Sequence, residues 1–128
     1  MTIAQIQRDG FRAAHRAGVK MVFASDAGVM PHAEVGKQFR VMVEYGMTPM
    51  EAIRSATVYG GQIMLQGHEL GAVKEGYLAD LLLVDGDPLA NIAVLQDQDR
   101  ILAVMKDGQF YKTPDVRAGR SRLGLTAA

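Results

Sequence analysis

The first half of the chain alternates between helix-spaced apolar residues and one short apolar run. Apolar side chains recur at helical spacing over residues 3–17, which predicts an amphipathic helix. Thr2 and Gln5 precede this pattern as a capping box, in which each side chain can bond a free amide at the helix start. Residues 19–24 (VKMVFA) contain four consecutive apolar residues, which is typical of a buried parallel strand. A second helix is predicted over residues 34–45.

A third helix start follows at residues 48–51, where Thr, Pro and Glu occupy the positions that favour capping. We expect this helix to break or bend at Gly60 and Gly61, and a further turn to end at Gly67. The order of helix, buried strand, loop and helix is typical of an α/β barrel or a doubly wound sheet.

The second half of the chain has short strand-like pieces separated by turn residues, which predicts a small antiparallel β unit. Asp107-Gly108 is a strong signal for a two-residue hairpin. One helical turn is expected within residues 89–96, and the tail after Pro114 is expected to be mobile because it lacks apolar periodicity. The predicted strands are residues 71–73, 80–84, 100–105 and 109–112.

Composition narrows the class of protein. The 128 residues carry 14 Lys and Arg against 14 Asp and Glu, a balance that argues against binding to nucleic acid. There is no cysteine for a disulfide or thiolate site, and no uncharged apolar run approaches the roughly 18 residues of a membrane span. These features predict a soluble cytoplasmic protein. The length also excludes a complete (β/α)8 barrel, which needs about 200 residues or more.

Two residues near the end of the predicted strand could carry chemistry. Asp26 lies at the carboxyl end of that strand, where α/β folds place their active sites, and its carboxylate could ligate a metal, accept a proton or hold a cation. An ordinary turn role for Asp26 is the alternative. His32 follows in the same loop and could reach the same site as Asp26, as a ligand, an orienting group or a substrate contact, or simply be solvated. His15 and His68 are expected on the surface.

Several motifs in sequence order resemble the end of a metal-dependent amidohydrolase, in particular the imidazolonepropionase and Xaa-Pro dipeptidase-like branch. The resemblance covers about residues 5–112, and its specificity comes from the order of the motifs rather than from one of them. The motifs are GVKMVFASDAG at 18–28, PH at 31–32, YGMTPMEAI at 45–53, AT at 56–57, LGAVKEGYLADL at 70–81 and DGDPL at 85–89.

The resemblance implies a fold that this chain contains only in part. Residues 1–68 are expected to form the last strand and flanking helices of a (β/α)8 barrel. Residues 69–112 are expected to form the C-terminal share of a small β-sandwich, followed by the tail at 113–128. The complete sandwich in this family also uses segments that precede the barrel. The chain therefore resembles the last quarter to third of an enzyme.

The resemblance also implies a reaction, the hydrolysis of an amide-type C–N bond by metal-activated water. Asp26 corresponds to the strand-eight metal ligand and proton shuttle, and His32 is a candidate substrate contact. The substrate is expected to be a small amide or a dipeptide-like molecule, and the cofactor a divalent metal, zinc by preference, in the full-length enzyme. The family's other metal ligands have no counterpart here, because the chain starts at what resembles the seventh helix of the barrel. Lys20 and Lys37 do not stand at the position of the family's metal-binding lysine. We therefore expect no tightly bound metal and no activity in the isolated chain.

Two other classes of function are compatible with parts of the sequence. A non-catalytic binding or oligomerisation module is the main alternative, because the β unit is intact while the metal cluster is absent. A phospho-accepting signalling domain is disfavoured, because the second half of the chain has the sequence pattern of β-hairpins. Exposed strand edges predict a homo-oligomer, or pairing with a missing N-terminal part. The observation that would decide between these classes is whether the reading frame continues upstream of Met1 into an H-x-H-bearing strand, which would make this chain a truncated enzyme.

Overall fold

A computed structural model describes residues 2–28 and 31–114, so most of the predicted tail lies outside the described residues. Four α-helices precede a three-stranded sheet. The helices are α1 (Ile3–Arg16), α2 (Lys37–Glu44), α3 (Pro49–Ala56) and α4 (Val58–Ile63), with two 3₁₀ helices at His32–Glu34 and Ile92–Gln96. The strands are β1 (Leu81–Val84), β2 (Ile101–Lys106) and β3 (Gln109–Lys112).

Helix α1 confirms the predicted capping box and ends one residue early. The Gln5 amide donates to the Thr2 hydroxyl at 3.3 Å, and the Thr2 amide donates to the Gln5 side chain at 2.7 Å. Gly18 follows the helix with φ of +73°, a left-handed conformation that glycine adopts without steric cost. The helix therefore begins and ends where local sequence chemistry places it.

The strand predicted at residues 19–24 does not form. The Val19 amide donates to the Ala14 carbonyl at 3.1 Å, and the Phe23 amide donates to the Ser55 carbonyl of α3 at 3.2 Å. Both partners are helical residues, whereas a strand needs hydrogen-bonded neighbouring strands. The described residues contain no such neighbour for this segment, so its apolar side chains pack on helices instead of completing a parallel sheet.

The core of the helical half lies between this segment and helices α1 to α3. The rings of Phe23 and Phe39 stack with centroids 4.5 Å apart, and those of Phe11 and Tyr45 meet edge to face at 5.6 Å. Aromatic pairs at these separations stabilise a core beyond the area that they bury. The cluster consists of buried Met42, Met47 and Ala52, with partly buried Phe11, Met21, Phe23, Phe39 and Val43 around it.

The break between α3 and α4 falls at Thr57 rather than at the two glycines. Thr57 has φ of −112° and ψ of −83°, whereas Gly60 and Gly61 lie inside α4. The predicted break at the glycine pair is therefore wrong. Gly61 is buried because the chain passes close to it, and a Cβ there would lie 2.7 Å from the carbonyl oxygen of Leu70. The glycine permits close packing and does not end the helix.

The antiparallel sheet has the strand order β1-β2-β3, and each of its strands begins and ends within one residue of the prediction. Asp107 and Gly108 both have positive φ, +48° and +75°, as a type I′ hairpin turn requires. The helical turn predicted within residues 89–96 is the second 3₁₀ helix. The strand predicted at residues 71–73 does not form, because the described chain offers that segment no strand to pair with.

Strand β1 forms an edge of the sheet and is largely apolar. Leu82 is 60% exposed, and no strand pairs with the outer side of β1 in the described residues. A surface cleft of about 450 Å³ separates this strand from the helices and is lined mainly by apolar side chains, among them Phe39, Ile53 and Leu81. The sheet and the helices therefore leave apolar surface uncovered between them. No helix in the described residues is long and apolar enough to cross a membrane.

Candidate functional site

Asp26 lies in the turn that follows the apolar segment 19–24. Its backbone has φ of +44°, a left-handed conformation that aspartate tolerates better than most residues. Its carbonyl oxygen accepts a hydrogen bond from the Gly28 amide at 2.6 Å, which closes a tight turn. The residue is exposed, and its side chain makes no hydrogen bond or ion pair within the described residues. The carboxylate is therefore available to a ligand.

His32 occupies the first position of the first 3₁₀ helix and is exposed. It lines a surface cleft of about 330 Å³ together with Gln96 and Lys112, between the first 3₁₀ helix and the sheet. Asp26 does not line this cleft, and the described residues show no hydrogen bond between the two side chains. Within the described residues this cleft therefore does not unite Asp26 with His32, and substrate contact by His32 stays a prediction.

The described part of the chain does not fit a metal ion by itself. Residues 2–28 and 31–114 contain no group of three or more His, Cys, Asp or Glu side chains close enough to share a cation. A catalytic zinc site uses about three protein ligands, whereas Asp26 offers one carboxylate. The role of Asp26 as a metal ligand therefore stays a prediction about a larger protein.

His15 was predicted on the surface, but its side chain is only 25% exposed. Its Nε2 atom lies 3.4 Å from Oε1 of Glu51, so this contact joins α1 to the start of α3. Both residues line a cleft of about 140 Å³ together with Lys20 and Tyr59. The contact spans 36 positions in sequence, and helical spacing within α1 carries no signal for it.

Glu51 closes the capping box of α3, and its carboxyl group has a lowered pKa. The Thr48 amide donates to Glu51 Oε2 at 2.7 Å, and the Thr48 hydroxyl donates to the same atom at 2.9 Å. These two bonds, followed by the contact with His15, hold the pKa of the Glu51 carboxyl below its ordinary value of 4.5. The ionised carboxylate is therefore the form that the fold stabilises.

Replacing Glu51 with glutamine is expected to destabilise the chain at neutral pH and to have less effect in acid. Because the folded-state pKa of Glu51 is lowered, its charge adds stability above pH 4.5, which is lost as the pH falls through the lowered value. Glutamine can still close the capping box, so the variant isolates the charge. Urea unfolding of both proteins between about pH 7 and pH 3 measures the effect. A difference in unfolding free energy that stays constant over this range would contradict the prediction.

Comparison with known proteins identifies the family. The model of the Amidohydrolase family matches residues 2–111, nearly the whole chain. The chain belongs to this family, and the structures that it resembles are amidohydrolases of the barrel class.

Individual relatives share moderate identity over most of this chain. Ochratoxinase from Aspergillus niger is 30% identical over 116 residues, covering 89% of this chain and 24% of the relative. Imidazolonepropionase from Vibrio vulnificus (strain YJ016) is 30% identical over 96 residues, covering 73% of this chain and 24% of the relative. A crystal structure of a Xaa-Pro dipeptidase with bound methionine superposes with a TM-score of 0.77 at 42% identity, over 82% of this chain and 25% of that one. The chain thus spans about a quarter of the length of these relatives.

Proposed function

We propose that this chain is the C-terminal part of a metal-dependent amidohydrolase that hydrolyses amide-type C–N bonds with metal-activated water. The observation that carries the proposal is the 42% identity to one quarter of a Xaa-Pro dipeptidase structure, at a TM-score of 0.77. The relatives named above are enzymes by name, so they offer no support for a non-catalytic module. The proposed substrate is a small amide or a dipeptide-like molecule.

In this proposal Asp26 is the catalytic residue of the chain. In a complete barrel that pairs residues 19–24 as its last strand, a carboxylate at the end of that strand would take a proton from attacking water and pass it to the leaving nitrogen. The exposure of Asp26 and its lack of a side-chain partner in the described residues support that role. His32, six positions later and also exposed, is proposed to contact the substrate.

The proposal assigns the metal to the complete protein. The described residues hold no group of three ligands, and a single carboxylate does not retain zinc. We therefore propose that a divalent metal, zinc by preference, binds where Asp26 meets ligands from a preceding part of the protein. The chain alone is proposed to bind metal weakly and to be inactive.

The apolar edge of the sheet supports the proposal of a missing structural partner. Strand β1 is unpaired on its outer side in the described residues, and it adjoins the apolar cleft of about 450 Å³. An exposed apolar edge of this kind promotes pairing with another strand. The proposed occupant is the N-terminal part of the same enzyme, with self-association as the outcome when that part is absent. The location of the complete protein is proposed to be cytoplasmic.

A chimeric enzyme tests the proposal. Residues 2–111 of this chain would replace the matched quarter of the Xaa-Pro dipeptidase, and both the chimera and the isolated chain would be assayed for bound zinc and for Xaa-Pro hydrolysis. We expect stoichiometric zinc and turnover in the chimera, and neither in the isolated chain. Zinc and turnover in the isolated chain would overturn the proposed dependence on a partner. A folded, zinc-loaded chimera without turnover would overturn the proposed reaction.

Association of the isolated chain is measured separately. Sedimentation at increasing protein concentration is expected to show self-association through the uncovered apolar surface. A monomer that unfolds cooperatively on heating would contradict the need for a partner.

A further inference from the structure

A side chain of helix α2 holds the chain just before Asp26 by a hydrogen bond. Gln38 lies on α2, and its Nε2 atom donates a hydrogen bond of 2.9 Å to the carbonyl oxygen of Ala24. Ala24 stands two residues before Asp26, and 14 positions in sequence separate it from Gln38. This distance is within the range of a well-formed N–H···O bond. The contact thus ties α2 to the start of the turn that contains Asp26.

The neighbouring contacts fix the segment one residue earlier. The Phe23 amide donates to the Ser55 carbonyl, and the Phe23 ring stacks on Phe39, the residue after Gln38. Beyond Phe23, the bond from Gln38 is the one side-chain hydrogen bond that reaches residues 24–28 in the described structure. Gln38 is therefore the residue whose side chain restrains the chain where it enters the Asp26 turn.

The backbone conformation at Asp26 makes the turn sensitive to the loss of this hydrogen bond. Asp26 has φ of +44°, a left-handed conformation that aspartate adopts more readily than most residues but less readily than glycine, so we expect the turn to respond when a restraint is removed. A shift of the Ala24 carbonyl would reorient the next two peptide units, and with them the carboxylate. Gln38 is half-buried, and its side-chain amide supplies the donor for this bond.

We propose that Gln38 is a positioning residue for Asp26, acting through its hydrogen bond to the Ala24 carbonyl. The geometric statement concerns this chain by itself, whereas its consequence for catalysis rests on the proposed function of Asp26. The bond restrains the backbone from which the carboxylate projects, and hydrolysis requires a carboxylate aligned with water and leaving nitrogen.

Two substitutions separate the hydrogen bond from the bulk of the side chain. Gln38→Met keeps similar length but removes the donor, whereas Gln38→Lys keeps a donor on a flexible chain. In the isolated 128-residue chain, ¹H–¹⁵N spectra are expected to show shifted amide signals of Asp26 and Gly28 in the methionine variant. In the lysine variant these signals are expected to return toward the wild-type positions. Arg40→Met on the exposed side of α2 is the matched control and is expected to leave both signals in place.

In the chimeric enzyme, Gln38→Met is expected to lower kcat about tenfold with little change in KM, because substrate binding does not depend on carboxylate alignment. Gln38→Lys is expected to restore most of kcat, which a merely structural role would not require. Unchanged amide signals together with unchanged kcat in Gln38→Met would overturn the proposal. Shifted signals in a chimera that stays active after Asp26→Asn would instead overturn the proposed function and leave the positioning geometry standing.

Discussion

Replacing Gly71 with alanine is expected to lower the free energy of unfolding by about 2–4 kcal/mol, a large share of the stability of a domain this size. Gly71 has φ of +89° and lies against the start of α4. A Cβ at this position would meet the carbonyl group of Thr57, with the carbonyl carbon at 2.7 Å, and would lie 3.0 Å from the Cα of Val58. Both are backbone atoms, so relief requires moving the junction between α3 and α4.

Gly76→Ala is the matched control for this substitution. Gly76 has φ of +81°, close to that of Gly71, but a Cβ there meets nothing within 4 Å. The control is expected to lower the free energy of unfolding by about 1–2 kcal/mol, the ordinary cost of a left-handed alanine. Urea unfolding of both variants therefore separates backbone strain from steric contact. Equal losses of unfolding free energy in the two variants would contradict the close approach of residue 71 to α4.

Features that depend on neighbouring residues were predictable from the sequence. The capping box of Thr2 and Gln5 and the hairpin turn at Asp107-Gly108 both form as predicted, because side chains and backbone preferences within four residues determine them. Pairing of β2 with β3 follows directly from that turn. Local sequence chemistry thus accounts for where several helices and strands begin and end.

Features that depend on distant partners were not predictable in the same way. Residues 19–24 have the composition of a buried strand, but strand formation also requires neighbours that the described residues do not contain. The α3–α4 break at Thr57 places Gly61 against Leu70. The presence of two glycines in the sequence does not reveal this packing contact. The apolar sequence of these segments therefore indicated that they would be packed in the core, but not which secondary structure they would adopt.

In the candidate site, too, local features were predictable from the sequence and contacts between distant residues were not. Asp26 could be singled out because a carboxylate at the end of an apolar run is a local pattern. The contacts of Gln38 with Ala24 and of His15 with Glu51 cross between elements, so no spacing rule could find them. Among the described residues, the cleft that His32 lines lies against the sheet and does not include Asp26.

Asp26→Asn is expected to reduce hydrolysis by the chimeric enzyme about 10³-fold, the size typical for loss of a general base. Asparagine matches aspartate in shape but cannot accept the proton from water. It also tolerates the left-handed conformation, with φ of +44°, that Asp26 adopts. The stability of the chain should therefore stay within about 0.5 kcal/mol of wild type.

The combination of lost activity and retained stability is what identifies a chemical role for Asp26. Asp87→Asn provides the matched control, because Asp87 is an exposed turn residue whose Oδ1 accepts from the Leu89 amide at 2.8 Å. Asparagine can keep that bond, so this variant should retain full activity. Hydrolysis within tenfold of wild type in Asp26→Asn would assign Asp26 an ordinary turn role. Equal losses in both variants would point to charge rather than to the position of one carboxylate.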